Sequence, residues 1–552
     1  MTETLDYVIV GAGSAGCVLA NRLTESGRDS VLVLEYGGSD RSLWIQMPTA
    51  LNMPMNMERY DWRYYTEPEP YLNGRRLHTP RGKVLGGSSS INGLVYVRGN
   101  ALDYERWQEE GAAGWGYDDV LPYFRRAERR AAGGDEYRGA DGPLGTRQGL
   151  VNNPLHAAWL AAGREAGYPR SADMNGFQQE GFARMDMTVD GGRRASAANA
   201  YLRPAMRRTN LTVRTGVLVT RVLFEGRRAV GVAYLRGGVR HEVRVRREVL
   251  LSAGSINSPQ LLKLSGVGPA AELGEHGIAV VQDLPGVGAN LQDHLEFYFQ
   301  VASREPVTLY SQMSLLRRAL IGTRWLLRHD GLGASNHFET GGFIRSRAGV
   351  RYPDIQFHFL PLAVNYDGSA LAREHGFQAH VGPMRSRSQG WVRLRSPDPR
   401  DKPRILFNYM SCAEDWLEMR ACVRLTREIF AQPAFERYRG REIQPGAQVQ
   451  SDAEIDAFVR DKVESAYHPS CTCRMGGTAD RQAVVDNQAR VIGLQGLRVV
   501  DSSIMPSITT GNLNAPTIMV AEKAADHIRG LPMLPRASAP YYVAPDWERS
   551  QR

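Results

Sequence analysis

Residues 5–35 constrain this chain more than any other stretch. LDYVIV at 5–10 is a short apolar run of the kind buried in a parallel strand. GAGSAG follows at 11–16, and CVLANRLTESG then carries apolar residues at helical spacing and stops at Gly27. VLVLE at 31–35 reads as a second buried strand that ends in an acid. Strand, G-x-G-x-x-G, helix, strand, acid is the order a dinucleotide site requires. Gly11 permits the tight turn, Gly13 lets the backbone approach a pyrophosphate, and Gly16 lets the helix pack close to the strand. The helix N-terminus offers N–H groups and its positive dipole end to the phosphates. Glu35 can accept hydrogen bonds from ribose hydroxyls and would repel a 2′-phosphate. The motif leaves FAD and NAD open.

A chain of 552 residues is too long for one simple core, so two domains are expected. Its 42% hydrophobic and 23% charged residues are those of an ordinary globular protein. The net charge of +9 is spread along the chain, with only short clusters such as RRAERR at 125–130. Solvated helix faces account for it, with peripheral attachment to an anionic membrane surface as the alternative. No basic helix with heptads, zinc-finger spacing or RNP pattern supports nucleic-acid binding. Five cysteines, Cys17, Cys412, Cys422, Cys471 and Cys473, form an odd, sparse set that points to a reducing compartment. With no apolar run of membrane-spanning length and a strand pattern from the start, a cytoplasmic location is expected.

The remaining stretches supply candidate chemistry. YDWRYYTEPEP at 60–70 reads as a loop pinned by stacked rings, with Trp62 as a candidate wall of a cation cage. PRGKVLGGSSSINGLVYVRG at 80–99 can bring many N–H and hydroxyl groups to a phosphate or a flat ring. Residues 211–251 alternate apolar and polar positions between turn signals, which predicts antiparallel strands. Helical and strand-like stretches over 300–460 predict a sheet with helices on one side. SAYHPSCTCRMGG at 465–477 presents His468, and RVVDSSIMPSITTGNLNAP at 498–516 presents Asp501, Asn512 and Asn514. Pro516 reads as the opening of a helix and Gly530 as its stop. His468, Cys471 and Cys473 are too few to be read as a metal site, and none is expected.

Taken in order, these stretches resemble the glucose–methanol–choline (GMC) family of flavoprotein oxidoreductases. PRGKVLGGSSSINGLVYVRG resembles the first family pattern and GSINSPQLLKLSGVG at 254–268 the second. PGVGANLQDH at 285–294, AYHPSCTCRMG and GNLNAPT complete the set, and the resemblance covers nearly the whole chain. TEPEP at 66–70, GASNHFETGGFIRS at 333–346, FHFLPLAVNY at 357–366 and HGFQAHVGPMRS at 375–386 resemble its bacterial choline-oxidising branch. The resemblance implies a discontinuous Rossmann-like FAD-binding domain (α/β) joined to an antiparallel-sheet substrate domain (α+β). It implies FAD-binding parts at 1–155, 196–300 and 463–530, substrate parts at 156–195 and 301–462, and a C-terminal extension at 531–552.

The implied reaction is oxidation of choline to betaine aldehyde, and onward through the aldehyde hydrate to glycine betaine. Such a reaction needs a base for the hydroxyl proton, a hydride acceptor and stabilisation of the charge on it. The resemblance assigns His468 as base and Asn512 as its hydrogen-bond partner at the alcohol oxygen. From the residues alone, a structural histidine and a turn asparagine would also serve. Glu339 is implied as the carboxylate facing the trimethylammonium group, with Trp62 and Tyr467 as aromatic walls and His358 nearby. The implied FAD contacts are Gly11, Gly13, Ser14, Ala15, Gly16, Glu35, Gly87, Ser88, Asn92, Gly93, Val219, Asp501, Asn512 and Pro516. The helix from Pro516 would aim its N-terminus at the flavin N1 side. Ile91 stands where some choline oxidases carry a flavin-linking histidine, so FAD is expected to be non-covalent. Oxidation of another primary alcohol is the rival reading, and a flavin-bound lyase or non-redox FAD protein the rival from another class. The electron acceptor, oxygen or a quinone of a respiratory chain, is left open, as is a homodimer.

Overall fold

The computed structural model describes residues 3–365 and 374–552, so Tyr366, the last residue of FHFLPLAVNY, lies outside the described residues. The strands that build the site begin with β1 (Thr4–Val10), β2 (Val31–Leu34), β3 (Gly181–Arg184), β4 (Leu211–Arg214), β5 (Val217–Glu225), β6 (Arg228–Arg236) and β7 (Val239–Leu251). They continue with β8 (Leu295–Ser303), β9 (Thr340–Ile344), β10 (Ile355–Leu360), β11 (Gly376–Pro383), β12 (Arg439–Gln444), β13 (Glu464–Ser465) and β14 (Leu497–Val499). The principal helices are α1 (Ser14–Thr24), α2 (Gly254–Leu264), α3 (Leu315–Arg328), α4 (Ala413–Ala431) and α5 (Asn514–Arg529).

One seven-stranded sheet runs β4-β2-β1-β7-β6-β5, with β14 pairing the end of β7. Strands β4, β2, β1, β7 and β14 are parallel; the apolar runs of β2, β14 and the ends of β1 and β7 are buried, as a strand covered on both faces requires, while the edge strand β4 buries only Leu211. β5, β6 and β7 form the antiparallel meander expected over 211–251, but Leu211–Arg214 does not join it. That segment instead pairs in parallel with β2 at the sheet edge. Thr215 and Gly216 follow it, and Gly216 has φ +68, so the chain turns there before the meander begins. At the head of α1, Gly11 has φ +97, and a Cβ there would sit 2.5 Å from the Ser252 carbonyl oxygen. Only glycine makes this turn. Helices α1 and α5 pack together, tied by a two-pronged Arg22–Glu522 pair (2.9 Å each) and by Ser14 Oγ donating to Asn514 Oδ1 at 2.7 Å.

The second seven-stranded sheet runs β12-β8-β11-β10-β9-β3, with β13 pairing the start of β8, and is antiparallel throughout. One face carries an aromatic core: Trp159 stacks on Phe359 at 5.1 Å, and Phe357, Phe377, Phe430 and Phe435 pack around them. Alternation along β10 does the sorting, because successive side chains point to opposite faces. Phe357 and Phe359 enter the core, and His358 between them lines a cavity on the other face. The expected antiparallel sheet backed by helices is therefore present.

Candidate active site

A cavity of ≈ 320 Å³ lies between the two sheets, reaching from the head of α1 to His468 and Asn512. At one end it is lined by Gly11, Gly13, Ser14, Ala15, Glu35, Gly87, Ser88 and Val219. Helices α1 and α5 both begin at this cavity without a side-chain cap, so their first-turn amides lack the usual partner. Gly87 (φ +54) lies so close over the α1 loop that a Cβ would sit 2.7 Å from Gly13 Cα. Uncapped amides under a glycine lid fit the phosphates of an elongated dinucleotide. Gly16 is not on the cavity wall: its Cβ would meet the Gly11 carbonyl oxygen at 2.0 Å, so it serves helix packing.

The other expected contacts divide. Glu35 accepts from the Ala12 amide (2.9 Å) and the Gly37 amide (2.7 Å), and burial pushes its carboxyl up to about 7. Asp501 lines the cavity, but its carboxylate is engaged by Gly254 N–H, Ser258 Oγ and Ser503 N–H, which fixes the start of α2. Asn92 and Gly93 lie on the wall, and Asn92 Oδ1 also accepts from Arg194 at 2.8 Å. Helix α5 starts at Asn514, two residues before Pro516. Leu513, Asn514 and Thr517 reach the cavity, whereas Pro516 is buried in the first turn and is not among the lining residues. Its missing N–H costs no intrahelical bond there. The helix ends at Gly530 (φ +65), as expected.

At the far end three histidines and an asparagine converge. His294 Nε2 lies 3.0 Å from the Met384 carbonyl oxygen, which can only accept, so Nε2 carries the proton. Burial keeps His294 neutral, with its pKa lowered to about 4, so its Nδ1 is an acceptor. His468 Nδ1, 3.0 Å away, must then be the donor, which leaves His468 Nε2 unprotonated, its lone pair an acceptor. The Asn512 Nδ2–H group donates to that lone pair at 3.2 Å, and Asn512 Oδ1 accepts from Gln356 Nε2 at 3.2 Å, with His358 Nε2 3.3 Å away. Burial holds the His468 pKa well below the usual histidine value, reinforced by His294, His358 and Arg81. His358 is likewise lowered to about 4 by burial.

The loop carrying His468 is set by the segment 292–296. Asp293 Oδ1 accepts from the His468 amide (2.6 Å), and its Oδ2 from Ser465 Oγ and Tyr409 OH (2.5 Å each). The Ala466 amide donates to the His294 carbonyl at 2.8 Å, and β13 pairs with the start of β8. Tyr467 lines the cavity with φ +66, its carbonyl held by Arg81 at 2.6 Å.

Glu339 is not where the sequence reading puts it. It is absent from the cavity wall, accepting instead from the Val151 amide and Ser335 Oγ (2.6 Å each), with its Oε2 3.9 Å from His156. Its neighbour Phe338 turns inward, its ring 5.9 Å from His358 and 5.3 Å from His380. The carboxylate on the wall beside these histidines is Glu296, whose Oε1 is 3.0 Å from His380 Nδ1. Trp62 lines the cavity as the middle ring of a stack, 4.9 Å from Tyr36 and 5.7 Å from Tyr64. That stack follows Glu35, so Trp62 borders the nucleotide end. Glu296, His294, His380 and Phe338 were missed, although the first two lie within or beside the PGVGANLQDH stretch.

Family models of GMC oxidoreductases match residues 5–296 and 386–521. The chain is 59% identical to an oxygen-dependent choline dehydrogenase of Photobacterium profundum, covering 100% of this chain and 98% of the relative. It is 59% identical to another of that name from Brucella anthropi, covering 99% and 100%. Among solved structures it resembles pyridoxine 4-oxidase from Mesorbium loti, with TM-score 0.87, 31% identity and 95% and 99% of the two chains covered. It also resembles an Aspergillus oryzae formate oxidase variant studied for FAD modification, with TM-score 0.89, 26% identity and coverage of 96% and 98%.

Proposed function

Because the chain belongs to the GMC oxidoreductase family, we propose that it is an FAD-dependent dehydrogenase oxidising choline to betaine aldehyde. The aldehyde hydrate presents the same hydroxyl and hydride, and is carried on to glycine betaine at the same site. Bound in the cavity, FAD supplies the hydride acceptor. Gly11, Gly13, Ser14, Ala15, Gly87 and Ser88 would hold its phosphates and Glu35 its ribose, and Asn92, Gly93 and Val219 would wall it in. The α5 N-terminus, rather than Pro516 itself, would face its ring. Ile91 on the wall offers only hydrocarbon, so attachment is non-covalent.

The observation that carries the reading is the unprotonated Nε2 of His468, which accepts from the Asn512 amide. The choline hydroxyl takes the place of Asn512 at that lone pair and donates its proton to it, while the released Asn512 Nδ2–H holds the oxygen as it becomes an alkoxide. Glu296 faces the trimethylammonium group, with Phe338 and Tyr467 as aromatic walls. His358 orients Asn512. Five free cysteines support a cytoplasmic location. The domain division drawn above is supported by sheet membership. β1, β2, β4–β7 and β14 fall in the nucleotide-binding ranges, β3 and β9–β12 in the substrate ranges, β8 straddles residue 300 and β13 crosses over.

Steady-state kinetics of Glu296→Gln with choline and with the neutral isostere 3,3-dimethylbutan-1-ol tests the assignment. KM for choline should rise about tenfold or more while that for the neutral alcohol changes little. Equal losses on both would favour the neutral-alcohol reading.

A further inference from the structure

Helix α3 is built inside out. Leu315, Leu316, Leu320, Leu326 and Leu327 are exposed, Leu315 and Leu327 by 83% and 78%, and Trp325 is its one buried hydrophobic side chain. At 100° per residue these leucines, with Ala319 and Thr323, fill one outward arc of about 140°. Arg317, Arg324 and Arg328 lie along one flank of that arc. Arg324 pairs with Asp330 at 2.6 Å, but among the described residues no ion pair engages Arg317, Arg318 or Arg328. A surface helix of a water-soluble fold shows the opposite pattern, with apolar side chains inward and charge outward. The helix is firmly mounted: Trp325 Nε1 donates to the Gly192 carbonyl at 2.7 Å, and its ring packs with Met47, Ala50 and Ala334. Met47 and Ala50 precede Leu51 and Met55 of the cavity wall, so α3 sits against the segment that supplies these two wall residues.

We propose that the outward face of α3 docks the enzyme on an anionic phospholipid surface. The leucine arc enters the acyl boundary, and the arginine flank meets the phosphate headgroups. Apolar exposure alone would suit a second copy of the chain equally well. A row of arginines of one sign, facing itself across a twofold axis, argues against that and for an anionic partner. Docking here requires no membrane-crossing helix, and among the described residues none is long and apolar enough to cross. The proposal stands apart from the choice of substrate, because vesicle binding is read without turnover.

The test is co-sedimentation of the full-length holoenzyme with phosphatidylethanolamine vesicles, with and without phosphatidylglycerol. Wild type should sediment with the anionic vesicles and lose that binding at high salt. Leu316→Ser/Leu320→Ser/Leu327→Ser and, separately, Arg317→Gln/Arg328→Gln should each weaken binding about tenfold or more. Dye-coupled activity in solution should stay at the wild-type level in both, which also reports that they fold. Wild type that stays in the supernatant, or variants that sediment like wild type, would overturn the proposal. A wild-type dimer that the leucine variant converts to monomer would overturn it in favour of a second copy.

Discussion

The tautomer of His468 depends on one side chain that is not among the cavity-lining residues. His294 accepts the Nδ1 proton of His468 only while its own Nε2 is committed to Met384. His294 is thus a positioning residue. His294→Phe should lower kcat about 100-fold, with KM for choline changed less than about threefold. A purely structural role would instead move both constants and the melting temperature together. The pH profile follows from the same burial. As the proposed base His468 has to be neutral, and burial, His294, His358 and Arg81 hold its pKa well below the ordinary 6.5. The acid limb of kcat/KM should therefore fall below pH 6.5, activity being lost as pH drops through the lowered pKa. His468, Asn512 and Tyr467 were legible as candidates because they lie in the AYHPSCTCRMG and GNLNAPT stretches that carry the family resemblance, and all three line the cavity. Glu296 and His380 were not, since they sit on β8 and β11 and meet only through sheet register. Glu339, the carboxylate the family resemblance implies, is one residue from the inward-facing Phe338, and its side chain accepts from the Val151 amide away from the cavity.

Among the elements, the βαβ unit and α5 read directly from the sequence, because apolar periodicity, glycine spacing and a terminal Pro or Gly mark each element locally, even though β1, β2 and α1 also pair with distant segments. The glycine spacing has a measurable consequence. Gly87→Ala places a methyl group 2.7 Å from Gly13 Cα and strains a left-handed backbone, so it should widen the phosphate cradle. Purified Gly87→Ala should carry at least about tenfold less flavin per chain by absorbance, with secondary structure by circular dichroism unchanged. Strand β4 escaped the sequence reading because LTVR alternates like the meander that follows it. Only its parallel partner β2, far back in the chain, distinguishes it.

Across the whole molecule, buried charge and a C-terminal strap join distant segments. Residues after Arg529 form no helix or strand. Even so, the Ala537 amide donates to Asp118 O (2.9 Å), and Ser550 O accepts from Arg345 (2.7 Å). Burial would raise the Glu128 carboxyl, but Arg98 and Arg138 outweigh it and hold the pKa at about 2. Its stabilisation is complete above the unfolded value of 4.5 and is lost as pH falls toward 2. Glu128→Gln should cost about 3 kcal/mol at neutral pH, read from the urea midpoint, because it takes from buried Arg98 the carboxylate it pairs with, while Arg138 keeps Asp173 and Asp186. The central claim, a flavin reduced by choline at His468, is tested most directly by the visible spectrum of the purified protein under anaerobic conditions. Adding choline should collapse the oxidised flavin bands, and His468→Gln should slow that collapse by at least about 100-fold. Readmitting air then shows whether oxygen takes the electrons. Flavin bands that choline leaves unchanged, while a neutral alcohol bleaches them, would contradict the account.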